Sequence, residues 1–215
     1  QSSKEWILFI DGDLSLNNAK FIHNYLKAEG DVIVGGISIV ENEKRWGNNL
    51  RYRYEHSSKE AISAENRRKT PYQHLSTNFI AHRKLIGTNP YNEDIKQYGF
   101  EDVLLGKRFK ALNAKINHID NPVLFNDFEL NAVFLCKTEE ALRTLSIFQT
   151  ELKGYSNLLK ITGKLQKMHI SWIGVWLYKF LHKPLKHNLK GNNPSVFLFN
   201  IYKLLYFLHY NSIRK

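Results

Sequence analysis

Short runs of consecutive apolar residues alternate with segments of helical spacing along the first half of this chain, and this alternation limits its fold more than any other feature. Trp6–Ile10 (WILFI) and residues 31–40 (DVIVGGISIV) are almost continuously apolar, which is typical of buried strands in a parallel-type sheet. Between them, residues 18–29 repeat apolar side chains at helical spacing and are followed by Gly30. A strand, a helix and a strand in this order predict an α/β layer structure.

Later segments continue the same architecture. The pattern predicts, in chain order, a helix over residues 55–68, a strand over 75–81 (LSTNFIA), an amphipathic helix over 101–114, a strand over 115–125 (KINHIDNPVLF) and a helix over 138–152 that is capped at Thr138. We therefore predict a mostly parallel sheet flanked by helices over residues 1–152.

All of the net positive charge lies in the C-terminal segment. Residues 1–151 contain 20 basic and 20 acidic residues, whereas residues 152–215 contain the other 11 basic residues and no acid. Aromatic residues repeat at helical spacing in the same segment, and Pro184 and Pro194 predict the end of one helix and the start of another. We therefore predict a second unit, residues 153–215, that forms a basic, aromatic, amphipathic helical tail.

The single cysteine of the 215 residues, Cys136, excludes a disulfide framework and any multi-cysteine zinc or iron–sulfur site. No apolar run approaches the roughly 18 to 20 residues that span a bilayer, and residues 1–20 lack the order of a signal peptide. These features predict a cytoplasmic protein.

The first candidate for chemistry is Asp11-Gly12-Asp13, which follows the first predicted strand at the edge where open α/β sheets bind ligands. Two carboxylates one residue apart supply hard oxygen ligands, which suit Mn²⁺ or Mg²⁺ carrying a diphosphate. Asp-Gly is also a common turn after any strand, so a purely structural interpretation stays open.

Glu101 and Asp102 open the predicted helix over residues 101–114. A carboxylate at this position could accept a proton from an attacking hydroxyl, because the positive end of the helix keeps it ionised. Acids in a first helical turn also stabilise a helix without any catalytic role, so both interpretations remain.

Polar residues inside the other predicted strands are further candidates. Residues 76–78 (STN) interrupt an apolar strand, and a buried Asn78 needs either an internal partner or a ligand. His118 could contact a metal or a phosphate, or be a satisfied structural residue. Arg67 and Arg68 could hold a phosphate, although a solvated surface position is equally compatible with their charged neighbours.

The order of these segments resembles that of family 2 glycosyltransferases of the GT-A fold, in a bacterial branch, over about residues 5–150. The matching segments are Asp11-Gly12-Asp13, residues 76–79 (STNF) with Arg83-Lys84, residues 99–102 (GFED) with Leu105-Gly106, residues 118–123 (HIDNPV) and residues 134–139 (FLxKTE).

This resemblance implies roles for the two acidic motifs. Asp11 and Asp13 correspond to the Asp-x-Asp pair that holds a divalent ion, Mn²⁺ or Mg²⁺, on the diphosphate of a sugar nucleotide, with Asp13 the direct ligand. Asp102 corresponds to the catalytic base, and Glu101 helps to hold the acceptor. The implied reaction is inverting: the acceptor hydroxyl, deprotonated by Asp102, attacks the anomeric carbon while the metal stabilises the leaving diphosphate.

Two features depart from the family pattern. The N-terminal part that holds the nucleotide base and ribose in this family is not among the matching segments, so we expect residues 1–215 alone to be inactive and poorly soluble. Residues 122–125 (PVLF) end in Phe125 where a histidine is often found, which leaves His118 as a candidate third metal ligand. Asn78 completes the candidate set as a contact to the donor.

The resemblance implies sugar transfer to a saccharide or lipid-linked acceptor in surface polysaccharide synthesis. Residues 155–215 would then rest on the inner face of the cell membrane as interfacial helices, unless their apolar faces pack on the catalytic domain or on a second subunit. A non-catalytic module that binds membrane or nucleic acid through the basic tail is the alternative, although helical spacing of the aromatic residues disfavours RNA. A metal-dependent phosphohydrolase would need more carboxylate or histidine ligands near Asp11 and Asp13.

Overall fold

The computed structural model describes residues 4–75, 78–87, 90–91 and 98–214. Its elements are β1 (Trp6–Ile10), α1 (Phe21–Lys27), β2 (Val32–Val34), β3 (Ile37–Ile39), α2 (Glu43–Trp46), α3 (Leu50–Ser57), α4 (Ala64–Lys69), β4 (Asn78–His82), α5 (Arg83–Ile86), α6 (Glu101–Ala111), β5 (Ile116–His118), β6 (Val123–Phe125), α7 (Asn131–Ile147), α8 (Asn157–Lys167), α9 (Ser171–Lys190) and α10 (Val196–Ile213).

The chain divides into two compact units. The sheet unit consists of Gln1–Asn42, Glu55–Asp94 and Glu101–Phe128, and the helical unit consists of Glu43–Tyr54, Ile95–Phe100 and Glu129–Lys215. The longest segment of the helical unit starts at Glu129, before the predicted boundary at residue 153, because α7 packs with α9 and α10.

Four strands of the sheet unit form a mixed sheet in the order β1-β4-β2-β5, and β3 and β6 form a separate parallel pair. β4 runs antiparallel to both of its neighbours, with Phe79 opposite Phe9 on β1 and Val34 on β2. β2 and β5 are parallel. The predicted α/β class is confirmed, whereas a mostly parallel arrangement is wrong for this sheet. A continuous apolar run indicates burial but not strand direction, so the sequence pattern could not orient β4.

β1 lies at one edge of the described sheet, and the prediction of a fully buried strand is wrong. Trp6 and Ile10 at its two ends are 38% and 36% exposed, and its central residues are half-buried. Its side chains nevertheless pack on both faces, since Phe9 contacts the core cluster on one face and Leu8 the cluster on the other. Packing on two faces explains why the run is continuously apolar at an edge position.

Two glycines divide the predicted strand over residues 31–40 into β2 and β3. Gly36 has a φ of +84°, and a Cβ on Gly35 would collide with the hydroxyl of Tyr25 and the amide of Asn78. The predicted strand over 115–125 is also divided, into β5, which pairs with β2, and β6, which pairs with β3.

Helices pack on both faces of the four-stranded sheet. Val32 and Val34 of β2 share a buried cluster with Phe109 of α6. Ile33, which points to the opposite face, shares a second cluster with Phe21 of α1. Burial of these side chains removes apolar surface from water at roughly 25 cal/mol per Å², which makes the two clusters the main stabilising contacts of the sheet unit.

The helical unit is built around α10, which packs on α9 and α7. The buried side chains of α10 lie around most of its circumference and are Phe199, Tyr202, Leu205, Tyr206, Phe207 and Leu208. The Tyr202 hydroxyl donates a 2.6 Å hydrogen bond to Glu139 of α7, and Lys186 of α9 lies 2.8 Å from the same carboxylate. The internal-packing alternative is therefore correct for α10.

Three helices, not two, follow residue 156, and Pro184 lies inside α9 instead of ending it. A proline removes the hydrogen bond to the carbonyl four residues earlier, here that of Phe180. Both Phe180 and Pro184 are exposed, so water can satisfy that carbonyl and the helix continues to Lys190. The predicted first tail helix is instead interrupted near His169, which has a φ of +56°.

Two other predicted helices have different bounds. α7 begins at Asn131, and Thr138 does not cap it, because its hydroxyl bonds to the carbonyl of Phe134 within the helix. The predicted helix over 55–68 is two shorter helices, α3 and α4, the second capped by Ser63. No helix in the part of the chain that the structure describes has the length and hydropathy to cross a membrane.

Candidate functional site

The Asp-Gly-Asp segment directly follows the last residue of β1. Asp11 and Asp13 are both exposed, and the Leu14 amide donates to the Asp11 carbonyl at 3.4 Å, which makes the segment a turn. The space around Gly12 is open, since a Cβ there would meet no atom within 4 Å. The turn interpretation and the ligand interpretation are thus compatible, because the turn leaves both carboxylates accessible to solvent.

Glu101 and Asp102 form the first turn of α6, as the sequence predicts. The residue before them, Phe100, has a φ of +73°, an unusual backbone conformation for a residue with a side chain. Such conformations are common where the chain must aim a functional side chain.

Asp102 is held in an environment that disfavours its charged form. Burial raises the pKa of Asp102, and the negative charges of Glu101 and Asp11 raise it further, against a hydrogen bond that its carboxylate accepts from the Val103 amide. A carboxyl group with a raised pKa is a stronger base once it has lost its proton. The local chemistry therefore suits proton transfer at Asp102.

Tyr91 joins these three carboxylates in what we call the acidic cluster: Asp11, Glu101, Asp102 and Tyr91. Burial raises the pKa of Tyr91, and the nearby charges of all three carboxylates add to this effect. Its ring packs edge-on against Phe9 of β1, with ring centroids 6.4 Å apart. The charges of the strand-end motif and the helix-start motif therefore act on the same tyrosine, although the two motifs are far apart in the sequence.

No sequence pattern singles out Tyr91, which lies in the loop between the predicted strand over residues 75–81 and the predicted helix over residues 101–114. Residues 92–97 of that loop lie outside the described residues, as do Ser76 and Thr77 of the predicted strand motif. A tyrosine in a loop has no periodicity that would place it, so only the structure brings it to the carboxylates.

The two carboxylates of the Asp-Gly-Asp turn suit a cation that a substrate carries with it. Among residues 4–75, 78–87, 90–91 and 98–214, no group of three or more His, Cys, Asp or Glu side chains is arranged to hold a metal ion. Mg²⁺ on a nucleotide is commonly bound by only one or two protein carboxylates, because phosphate oxygens and water complete its coordination. The exposed carboxylates of Asp11 and Asp13 are of this kind.

His118 is not available as a metal ligand, and the structure corrects that prediction. The side chain is fully buried; its Nδ1 accepts from Arg67 at 2.9 Å, and its Nε2 donates to the Pro71 carbonyl at 2.9 Å. Both ring nitrogens are therefore engaged within the fold. Burial lowers the pKa of His118 to about 4, so the ring is neutral at physiological pH.

Asn78 belongs to an internal network, which corrects its prediction as a donor contact. It has no exposed surface, and its amide donates to the carbonyls of Gly36 at 2.8 Å and Asn121 at 2.9 Å. Its carbonyl oxygen accepts from the Tyr25 hydroxyl at 2.5 Å. All of its polar atoms are thus bonded inside the sheet unit, away from any ligand.

Arg67 is buried within the fold, so both interpretations of its sequence position, a phosphate contact and a solvated surface residue, are wrong. It is 3% exposed, and its guanidinium donates to four backbone carbonyls as well as to His118; these carbonyls belong to Val34, Gly35, Ile62 and Ile119. The sequence signal for this buried arginine was the Gly35-Gly36 pair, because a Cβ on Gly36 would collide with the guanidinium. Arg68 is exposed and bonds the His118 carbonyl at 2.9 Å.

Comparison of the chain with protein-family models, with curated proteins and with solved structures found no match.

Proposed function

We propose that this chain is the catalytic part of an inverting, metal-dependent glycosyltransferase, similar to family 2 enzymes of the GT-A fold. It would move a sugar from a nucleotide-sugar donor to a saccharide or lipid-linked acceptor, as in bacterial surface polysaccharide synthesis. The observation that carries the proposal is the acidic cluster, in which the negative charge of Asp11 acts on Asp102 across 91 residues of sequence. Sugar transfer from a diphosphate needs both a base and carboxylates for the cation that accompanies the donor.

Each of the four carboxylates of the two acidic motifs has a chemical task in this proposal. Asp102 accepts the proton of the attacking hydroxyl, for which its raised pKa is suited. Glu101 lies beside it in the first turn of α6 and would orient the acceptor by accepting a hydrogen bond from a sugar hydroxyl. Asp11 and Asp13 would hold Mn²⁺ or Mg²⁺, which when bound neutralises charge on the leaving diphosphate.

A phosphohydrolase is less consistent with the site. Such enzymes commonly use two metal ions, which need more protein ligands than a single substrate-borne ion. The described residues provide no cluster of that size. A base with a raised pKa, together with the exposed aspartates of the Asp-Gly-Asp turn, supports transfer to an acceptor hydroxyl.

The test is transfer of labelled sugar from a panel of sugar nucleotides in the presence of Mn²⁺, with the protein at its full natural length. We expect Asp13→Asn to lower Mn²⁺-dependent transfer by at least about a hundredfold, because one of two carboxylates for the cation is lost. Asp127→Asn, at another exposed aspartate of the sheet unit, is the matched control and should keep full turnover. Unchanged transfer by Asp13→Asn, or release of free sugar in place of transfer, would contradict the proposal.

We also propose that the protein contacts the inner face of the cell membrane through one side of α9. Trp172, Trp176 and Phe180 lie on one stripe of this helix and are 65%, 54% and 62% exposed. Lys179 and Lys183 of the same helix are exposed, as are Lys164 and Lys167 of α8, and no acid follows residue 151. Aromatic side chains beside lysines suit the headgroup region of an anionic leaflet, where each basic residue contributes about 1 kcal/mol.

Point variants are the appropriate test of this contact, because removing residues 155–215 would remove α10 and its buried side chains. Replacing both Trp172 and Trp176 by Ser should weaken co-sedimentation with anionic vesicles by about tenfold or more, since two large apolar side chains no longer enter the interface. The control is a double Ser variant of Ile22 and Leu26, which are 54% and 77% exposed on α1. Equal loss in both variants, or binding that does not change with salt, would argue against this membrane contact.

A further inference from the structure

The helical unit contains a largely apolar groove of about 710 Å³ that has no role in the chemistry described above. Its walls come from α7, α8, α10, the end of α3 and the segment before α6. Of the nineteen described residues that line the groove, thirteen are apolar or aromatic, and the other six include two lysines and no acid. Its volume is within the range of pockets that bind small molecules, about 300 to 1,000 Å³.

The two lysines set the charge of the groove. The ammonium of Lys203 lies over the rings of Tyr54 and Phe199, 4.4 and 4.7 Å from their centroids, so aromatic faces hold it at the wall. Lys137 lies 3.3 Å from the carboxylate of Glu129, which is not one of the described lining residues and offsets part of the lysine charge, so Lys203 contributes more to the charge of the groove. Since the described residues of the lining include two lysines and no acid, they favour an anionic group next to an apolar body.

Side chains at the border of the groove remain open to solvent. Ile161 of α8 is 47% exposed and Phe197 of α10 is 71% exposed. Exposed apolar side chains around an apolar groove indicate an occupant that brings its own hydrocarbon surface. A nucleotide or a free sugar would instead need more polar partners than the six polar lining residues supply in such a space.

We propose that this groove binds a long-chain phosphorylated lipid, with the hydrocarbon chain among the apolar side chains and the phosphate near Lys137 and Lys203. The lining includes Phe100, whose next residue in the chain is Glu101, so the groove is covalently connected to the helix that carries Asp102. Its role as the site of a lipid-linked acceptor rests on the proposed transferase function. The binding of the lipid phosphate itself does not depend on that function.

The test uses geranylgeranyl phosphate carrying a photoreactive group, at concentrations below micelle formation, with the full-length protein and no sugar nucleotide. We expect cross-linked peptides from α8 and α10, and competition by unlabelled geranylgeranyl phosphate but not by geranylgeraniol or inorganic phosphate. Ile161→Glu should reduce capture by about tenfold or more, because it places a negative charge on the groove wall. Ile173→Glu, at an isoleucine of α9 that is 39% exposed and outside the groove, should leave capture unchanged.

A second pair of variants examines the charge. Lys203→Gln should remove most of the preference for the phosphate over the alcohol, and Lys160→Gln, at an exposed lysine of α8 outside the groove, should retain it. This pair remains decisive if Ile161→Glu proves unstable by circular dichroism. Cross-links confined to α9, equal capture of alcohol and phosphate, or competition by inorganic phosphate would overturn the proposal.

The two proposals fail separately. Capture that persists in the absence of any sugar transfer would support the groove and count against the transferase. Transfer to a soluble saccharide without capture of the lipid phosphate would support the transferase and overturn the groove.

Discussion

Replacing Asp102 by Asn should lower the rate of sugar transfer by about 10² to 10⁴, the effect of removing a general base. The acceptor hydroxyl would then lose its proton acceptor, while the exposed carboxylates of Asp11 and Asp13 remain in place for the donor's cation. The apparent affinity for the sugar nucleotide should therefore change little. Steady-state kinetics with varied donor and with varied acceptor separate these two effects.

The same variant should be more stable than the wild type at neutral pH. Burial raises the pKa of Asp102, so at a pH between its ordinary pKa and the raised pKa the folded state holds a proton there that the unfolded chain has already released. The protonated group contributes its full share to the free energy of unfolding below its ordinary pKa. This share is lost as the pH rises through the raised pKa, so the buried negative charge lowers the free energy of unfolding at pH 7. Asn carries no charge and can still accept a bond from the Val103 amide, so it avoids that cost.

Denaturant unfolding at pH 7 and at pH 4 measures this second effect, and the gain from Asp102→Asn should be larger at pH 7. Glu101→Gln is the control, since it removes a first-turn acid from the same helix without removing the base. If Asp102→Asn destabilises the fold and leaves the transfer rate unchanged, Asp102 has only a helix-capping role.

The sequence predicts the α/β class because strand-like and helix-like apolar patterns alternate, and the clusters on the two faces of β2 confirm that pattern. It could not orient β4, because burial on both faces gives the same apolar run in either direction. It also placed the end of a helix at Pro184, although an exposed proline can lie inside a helix when water satisfies the freed carbonyl.

The candidate residues fall into two groups, those at the ends of helices or strands and those inside strands. The sequence identified Asp11, Glu101 and Asp102 because each lies at the end of an element, where local pattern defines position. His118 and Asn78 are inside strands, and their partners come from distant segments such as Pro71 and Tyr25. No local pattern records such long-range hydrogen bonds, so buried polar residues could not be distinguished from ligands.

Replacing Arg67 by Met should lower the free energy of unfolding by about 3 to 5 kcal/mol, a large part of the roughly 5 to 15 kcal/mol of a typical domain. Methionine fills much of the volume but donates no hydrogen bond. The carbonyls of Ile62 and Ile119 and the Nδ1 of His118 would then lose the donor at 2.9 Å that they each have. Buried acceptors without a donor are the main source of the expected loss.

Arg67→Lys should recover less than half of that loss, because an ammonium cannot reproduce the planar fork that reaches the ends of both β2 and β5. Arg68→Met is the matched control: Arg68 is exposed and makes one backbone bond, to the His118 carbonyl, so its loss should cost no more than about 1 kcal/mol. Hydrogen exchange of the β2 and β5 amides should accelerate in Arg67→Met and remain slow in Arg68→Met. Similar unfolding free energies for the two Met variants would show that the buried guanidinium does not hold these two strands together.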